Sequence, residues 1–446
     1  MKLVGVLSKW VERGFIPGFV TRVIVSTDRV KDVAVEIASR LRETVFQAGI
    51  LRSLAQRFQG LGIITGLGDV VMHFLAVKEI PMFNLVAFPS TLRLLEELEA
   101  DRRIRKIYPD RTMYALEYPV VSKDQVFTDK ITEKTFTSTY YVRKILGAEQ
   151  ANKEGYTGRG VKVAVIDTTA APVHTAISHA IPRTTIRGLW TDENGHGVHV
   201  AATIGGKYYI DMAYGVPTQG IAPDVTLFTI KSLGFVLGFG NESDIIEAME
   251  ISAMLGADIV NMSLGSEQVP EKPEDDPQIQ AVERLTKEKN ITFCVAGGNS
   301  GAKYGTINSP GAAESAITVG AYCPITGKVA SFSSRGPTPW GSVKPDIIMP
   351  GVNILAPTVG ILDVLEMPRG APRASALSGT SMATPMASGM VALMMDYAGR
   401  HGVRVTAGMV KDVMEKYGED VKNNDSGWGV LTWDKWRRYA GEVLGF

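Results

Sequence analysis

From residue 161 onward, short β-branched runs alternate with longer helix-like stretches, and this alternation narrows the fold more than any other feature of the chain. VKVAVID, VTLFTIKSL, DIVNMSLG, ITFCVAGG and AITVGAYC read as strands. SDIIEAMEISAMLG and DPQIQAVERLTKEKN lie between them with apolar residues at helical spacing. Strands separated by helices need right-handed crossovers, which gives an α/β fold with a mostly parallel sheet and helices on both faces. Sites in such sheets form beyond the carboxyl ends of the strands.

The first part of the chain follows another order. RVIVSTD reads as a strand and VKDVAVEIASRLRETVFQ as an amphipathic helix. VVMHFLAVKEI and FNLVAF read as two strands around Pro81, and STLRLLEELEADRRI as a helix opened by Ser90 and Thr91. KIYPDRTMYALEY then returns to extended character. That order is the one of a small ferredoxin-like α+β unit. PVVSKDQVFTDKITEKTFTSTYY, polar, charged and without periodicity, reads as a linker. The expected division is an N-terminal unit over 1–116, a linker over 117–140 and the large α/β domain over 141–446.

Lys plus Arg number 47 and Asp plus Glu number 47, so the chain has no electrostatic footprint for nucleic acid or an anionic membrane surface. GLGIITGLGDVVMHFLAV contains Asp69, His73 and several glycines and falls short of a membrane span. In the opening MKLVGVLSKWVERGFIPGFV, Lys9, Glu12 and Arg13 interrupt any uncharged signal core. No secretion signal is read there, and the compartment stays open between intracellular and atypically exported. Cys294 and Cys323, too few for a disulfide framework, lie in or beside apolar runs and read as buried free thiols.

Three local patterns sit where strands end or helices begin. VAVIDTT ends a strand in Asp167, and DENGHGVHVAATIGG places His196 at the start of a helical segment. LSGTSMATPMASG sets Ser381 before the helical run MVALMMDYAG. Pro385 reads as a first-turn proline, which puts Ser381 near a helix N-terminus, where unpaired N–H groups favour an anion. A Gly-Thr-Ser alone would be no more than a capped helix. Asp, His and Ser from three elements at one sheet edge are what catalysis by a hydroxyl nucleophile requires, since an imidazole must take the serine proton and a carboxylate must hold the imidazole.

GTSMATP, NGHGVH and VAVIDTT, together with NMSLG, VAGGNSG and SFSSRGP followed by KPDIIMPGVNILAP, resemble the signatures of the subtilisin-like serine proteases, the subtilase family, in the family's order Asp, His, Ser. The resemblance implies a serine endopeptidase of subtilisin-like fold acting on protein or peptide substrates. It makes Ser381 the nucleophile, His196 the general acid and base, Asp167 the orienting carboxylate and Asn299 the oxyanion-hole side chain. Ser263, Leu264 and Gly265 match the edge that pairs with substrate backbone, and Gly297 and Gly298 match a wall of the pocket for the side chain before the cut. Thr169, Val198 and Met386 depart from the family's usual glycine, threonine and histidine.

The resemblance further implies that the N-terminal unit is a propeptide. It would assist folding, be cut at Leu116–Glu117 and occupy the active site as an intramolecular inhibitor, with Met113 to Leu116 in the cleft; whether it stays bound after the cut is left open. Met113 and Leu116 then suggest a preference for large apolar residues at those substrate positions. No cofactor is implied for the chemistry. A structural calcium is left open without ligands, because GKYYIDMAYGVPTQG offers Asp211 but no dense set of oxygens. Two other readings remain: a catalytically silent subtilase fold that binds proteins, and a peptide ligase.

Other polar residues have plainer readings. His196 and His199 lack a third ligand in register for zinc. His174 and His179 read as packing or turn residues, Asp192 in TDENG as part of a surface turn, and Asp258 and Asp346 as structural. WDKWRRY reads as a terminal packing segment.

Overall fold

The computed structural model of the chain describes residues 21–47, 73, 76–116, 136–186, 190–211, 215–234, 238–359 and 373–446. The opening segment, most of the stretch from Thr44 to Leu67, Glu117 and the linker as far as residue 135 lie outside the described residues.

Strands β1 (Thr21–Ser26), β2 (Lys78–Ile80), β3 (Leu85–Ser90) and β4 (Lys106–Pro109) form an antiparallel sheet in the order β2-β3-β1-β4. The helices Val30–Gln47 and Leu92–Ala100 accompany it, the second capped by the Thr91 hydroxyl, which accepts from Leu94 N at 3.1 Å. Strand, helix, two strands, helix, strand is the ferredoxin-like order. Of VVMHFLAVKEI, expected as one strand, the described residues put Lys78–Ile80 in β2 and His73 in a helix.

The pleat divides this sheet's side chains. Val23, Val25, Val86 and Phe88 pack among the unit's own helical residues, including Val33, Ile37, Leu95 and Leu98. Ile24, Ile80, Leu85 and Ala87, one position out of phase, join a core cluster of the larger unit that includes Ile245, Met249, Ile279 and Val282. Both sheet faces are therefore covered.

KIYPDRTMYALEY, expected as one extended stretch, is two strands in two sheets. After β4 the chain turns through Asp110 and Arg111, and β5 (Thr112–Ala115) leaves the first sheet for the larger unit. β6 (Thr137–Ser138) pairs with a strand of that unit, so among the described residues of the expected linker the last few already belong to the larger unit.

Seven strands make the central sheet: β7 (Lys162–Asp167), β8 (Ile181–Thr184), β11 (Thr226–Lys231), β13 (Ile259–Met262), β15 (Thr292–Ala296), β16 (Ile317–Tyr322) and β17 (Ile347–Pro350). Their order is β17-β16-β15-β13-β7-β11-β8, and every pairing is parallel. A hairpin of β9 (Tyr209–Asp211) and β10 (Val216–Thr218), and the pair β18 (Ile354–Thr358) and β19 (Arg373–Leu377), lie outside it.

One face of this sheet packs against the helices His196–Gly205 and Thr380–Arg400, the other against Glu242–Met254 and Pro277–Lys289. This is the expected subtilisin-like α/β architecture. The helix from Thr380 is buried almost all round as far as Ala398, which explains why its sequence shows no polar face. Trp433 and Trp436 of the helix Trp433–Tyr439 are buried in the same core, so WDKWRRY packs as expected. Truncating either tryptophan to alanine would cost about 3–5 kcal/mol.

Candidate active site

Asp167 is the last residue of β7, at the carboxyl edge of the sheet. Its carbonyl accepts from Ser232 N at 2.8 Å and Leu233 N at 3.1 Å, which fixes the backbone there. Oδ1 receives Thr168 N and His196 Nδ1, each at 2.7 Å. Both side chains are fully buried, so water does not compete for this contact.

His196 opens the helix His196–Gly205, and several local devices aim it. Gly195, at φ +92, takes the left-handed conformation that favours glycine. Gly197 must be glycine because a Cβ there would stand 2.6 Å from Thr169 N. Gly197 N donates to Thr168 Oγ1 at 2.8 Å, and Thr168 Oγ1 donates to Asp192 Oδ1 at 2.9 Å. Asp192 also receives Gly195 N at 2.7 Å and Val198 N at 3.1 Å.

Asp192 is therefore no surface-turn residue. It is buried, caps the start of the histidine's helix, and ties that helix to the strand end that carries Asp167. Burial pushes its carboxyl above the ordinary value, opposed by the N–H of Gly195 and by Lys231. An acid shortly before a helix start is a capping signal, and TDENG carried it.

Ser381 is the second residue of the helix Thr380–Arg400. Pro385 lies in the second turn and not in the first. Its missing N–H leaves the Ser381 carbonyl without its helical donor, and the Ser263 hydroxyl supplies one at 3.0 Å. The Ser381 hydroxyl donates to the Ser263 carbonyl at 2.8 Å.

Asn299 follows β15. Thr380 N and Thr380 Oγ1 both donate to its Oδ1 at 2.9 Å, which turns the amide so that Nδ2 faces outward. Nδ2 donates to the Leu116 carbonyl at 2.7 Å. That carbonyl lies so close to Gly379 that a Cβ there would stand 2.5 Å from it.

Leu116 arrives at the end of β5, which is sandwiched between β12 (Phe239–Asn241) and β14 (Leu264–Gly265). On one side Ala115 faces Leu264 and Tyr114 faces Gly265, and Leu116 N donates to the Ser263 carbonyl at 3.3 Å. On the other side Tyr114 faces Phe239, Met113 faces Gly240 and Thr112 faces Asn241, while Ala115 N donates to the Gly238 carbonyl at 2.9 Å. A peptide added as a strand between two edges is held by its backbone and read by alternate side chains. Met113 is fully buried, Tyr114 is half exposed and Leu116 is buried.

The chain matches the profile of the subtilase family over residues 158–429. It is 33% identical to the serine protease AprX of Bacillus subtilis over 357 residues, covering 76% of this chain and 74% of that protein. It is 30% identical to pyrolysin of Pyrococcus furiosus over 353 residues, which are 68% of this chain but only 23% of pyrolysin. With subtilisin DY of Bacillus licheniformis the identity is 32% over 255 residues, 56% of this chain and 82% of that one.

The chain is a subtilase. It belongs by class to the serine endopeptidases, and the subtilase reaction needs no cofactor. Of the groove residues named from the sequence, Ser263, Leu264 and Gly265 lie along β5. Gly265 meets the Leu116 side chain, with Cδ1 3.2 Å from the place of a glycine Cβ. Gly297 and Gly298 make their bonds elsewhere, to Val319 and Thr380, and lead the backbone into Asn299. The second flank of the groove, Gly238 to Asn241, was not named from the sequence, although the glycines of GFGN marked a place where another backbone comes close.

The departures of this subtilase from its family pattern leave these contacts in place. Met386 is a buried core residue, and Thr169 Oγ1 donates to the Ala171 carbonyl at 3.2 Å. Burial pushes the Cys294 thiol up to about 12, which removes it as a nucleophile. His199 Nε2 meets the Ile354 carbonyl at 3.0 Å, and burial lowers the ring to about 4. His174 accepts Ala176 N at 3.0 Å and is likewise lowered to about 4 by burial.

Among the described residues no three His, Cys, Asp or Glu side chains converge to hold a metal ion. Asp211 Oδ2 receives Ala374 N at 2.8 Å, so this carboxylate works as a backbone acceptor. No calcium ligand set follows from it. No helix among the described residues is long and apolar enough to cross a membrane.

Proposed function

We propose that this subtilase hydrolyses peptide bonds through an acyl-enzyme on Ser381 and is made as a zymogen that cuts its own chain at Leu116–Glu117. In this reading the Ser381 hydroxyl turns from the Ser263 carbonyl to the His196 imidazole, which takes its proton as the oxygen attacks. Asp167 holds the ring and stabilises it once charged. The Asn299 amide and the Ser381 N–H bind the oxyanion. His196 then gives its proton to the leaving amine, and a water activated by the same imidazole releases the acyl group.

The observation that carries this reading is the Leu116 carbonyl on Asn299 Nδ2 at 2.7 Å, while Leu116 N sits on the same Ser263 carbonyl that takes the Ser381 hydroxyl. A carbonyl held by an amide donor beside a serine hydroxyl supports reading Leu116 as the residue attacked. Met113 and Leu116, both buried, support a preference for large apolar residues at those two substrate positions.

Further contacts hold the N-terminal unit against the catalytic unit and support it as an intramolecular inhibitor. Asp110 receives Ser243 N at 2.8 Å and Ser243 Oγ at 2.7 Å, at the start of the helix Glu242–Met254. Lys78 pairs with Asp244 and Glu247, and Met82 N donates to Glu250 at 2.7 Å.

A fluorophosphonate probe tests the catalytic part. A single adduct on Ser381, absent from Ser381→Ala, is expected. A folded protein that takes no label would favour the silent binding fold, and transfer of the acyl group to an added amine in preference to water would favour the ligase.

A further inference from the structure

Arg111 stands five residues before Leu116 and enters the larger unit with β5. Its backbone continues the strand pairing, because Glu242 N donates to the Arg111 carbonyl at 2.8 Å, one residue beyond the Thr112–Asn241 pair. Its side chain is buried. Nε donates to Glu242 Oε2 at 2.8 Å, Nη2 pairs with Glu242 Oε1, Nη2 lies 2.8 Å from Asp276 Oδ2, and Nη1 donates to the Gln268 carbonyl.

Glu242 and Asp276 are both fully buried and belong to the larger unit. Asp276 spends Oδ1 on capping its helix, receiving Gln278 N at 3.0 Å and Ile279 N at 3.1 Å, which leaves Oδ2 for the guanidinium. Without a cation between them, two carboxylates would face each other out of water, an arrangement that proteins avoid. Burial and the neighbouring Asp276 and Asp110 already push the Glu242 carboxyl upward, against the pull of Arg111. The acceptors lie in the directions of a guanidinium's donors, and the Glu242 contact is two-pronged, a pattern that an ammonium does not reproduce.

We infer that Glu242 and Asp276 form a cation subsite of the substrate groove, which selects an arginine five residues before the residue whose carbonyl is attacked. The inference rests on reading β5 as a bound substrate strand. The two carboxylates stay with the catalytic unit when that strand leaves. A substrate with a neutral side chain there must bury both without a counter-charge, and an arginine restores all the contacts that Arg111 makes. Specificity then extends well beyond the apolar positions occupied by Leu116 and Met113.

The test uses full-length protein incubated until the N-terminal fragment is itself degraded and a fluorophosphonate probe reaches Ser381, so that the groove is free, with peptides spanning Asp110 to Pro119 that keep arginine at the second position or carry lysine or glutamine there. Cleavage should favour the arginine peptide over the glutamine peptide by about thirtyfold or more in kcat/KM, the size expected for truncating one partner of a buried charge pair. Lysine should fall between them. In the double variant Glu242→Gln, Asp276→Asn, which keeps side-chain shape and the helix-capping oxygen, the ratio should fall toward one. Equal cleavage of the three peptides by the wild type, or a ratio that survives the double substitution, would overturn the inference. The wild-type comparison needs no variant and decides the point even where the double variant does not fold. If none of the peptides is cut, the catalytic reading fails and takes the subsite with it. If all are cut alike, the subsite fails alone.

Discussion

Ser263 and Ser381 exchange two hydrogen bonds: the Ser263 hydroxyl donates to the Ser381 carbonyl at 3.0 Å, and the Ser381 hydroxyl donates to the Ser263 carbonyl at 2.8 Å. The first exists because Pro385 has no N–H to give that carbonyl. The second is shared, since the Ser263 carbonyl also takes Leu116 N. One backbone atom thus positions both the hydroxyl proposed to attack and the residue proposed to be attacked.

Ser263→Ala removes the donor to a buried carbonyl. The expected cost is about 1–3 kcal/mol of stability, the penalty for a buried acceptor left unmade. Urea unfolding measures it, with both proteins carrying Ser381→Ala to prevent self-digestion. An unchanged midpoint would mean that another donor serves the Ser381 carbonyl.

Asn299→Ala should lower kcat by about 10²–10³ with little change in KM, the magnitude known for subtilisin's own oxyanion donor. The amide contributes most when the carbonyl oxygen becomes an anion, so the loss should appear in kcat. A loss confined to KM would place Asn299 in ground-state binding only.

Gly379→Ala tests the approach of the carbonyl proposed to be attacked. Its Cβ would stand 2.5 Å from the Leu116 oxygen, so the carbonyl must move out of reach of Asn299. Displacements of this size cost about 10²-fold. Peptide hydrolysis and self-cleavage should fall together, and full activity in the variant would contradict the placement of Leu116.

The runs carrying Asp167, His196 and Ser381 could be read from the sequence because each is local, with its strand end or helix start written in neighbouring residues. The parallel sheet was legible for the same reason, through alternating runs long enough to show their period. Arg111 with Glu242 and Asp276 was not legible, since those partners are far apart in sequence and lone charges carry no periodic signal. Nor was the groove's second flank, because Phe239–Asn241 is three residues long and becomes a strand only through pairing with β5. Asp192 was misjudged from its polar neighbours. Thr168 and the helix start of His196 close over it, and composition does not show such closure.

Acid should destabilise the fold through two buried rings. His199 and His174 are held near about 4 by burial, below an ordinary value of 6.5, so the unfolded chain binds more protons between those values. The stability present above about 6.5 is therefore lost as the pH falls toward 4. Thermal midpoints of the Ser381→Ala protein at about pH 7.5 and about pH 4.5 should show the drop. His174→Asn, which keeps an acceptor for Ala176 N, should make it smaller. An equal drop in that variant would clear His174 of any part in it.

Whether Ser381 attacks the carbonyl that Asn299 holds is decided by intact mass followed against time for purified full-length protein. The wild type should split into two fragments, the larger beginning at Glu117, while Ser381→Ala stays whole under the same conditions. Two whole proteins, or a Ser381→Ala protein that splits at the same bond and rate as the wild type, would contradict it.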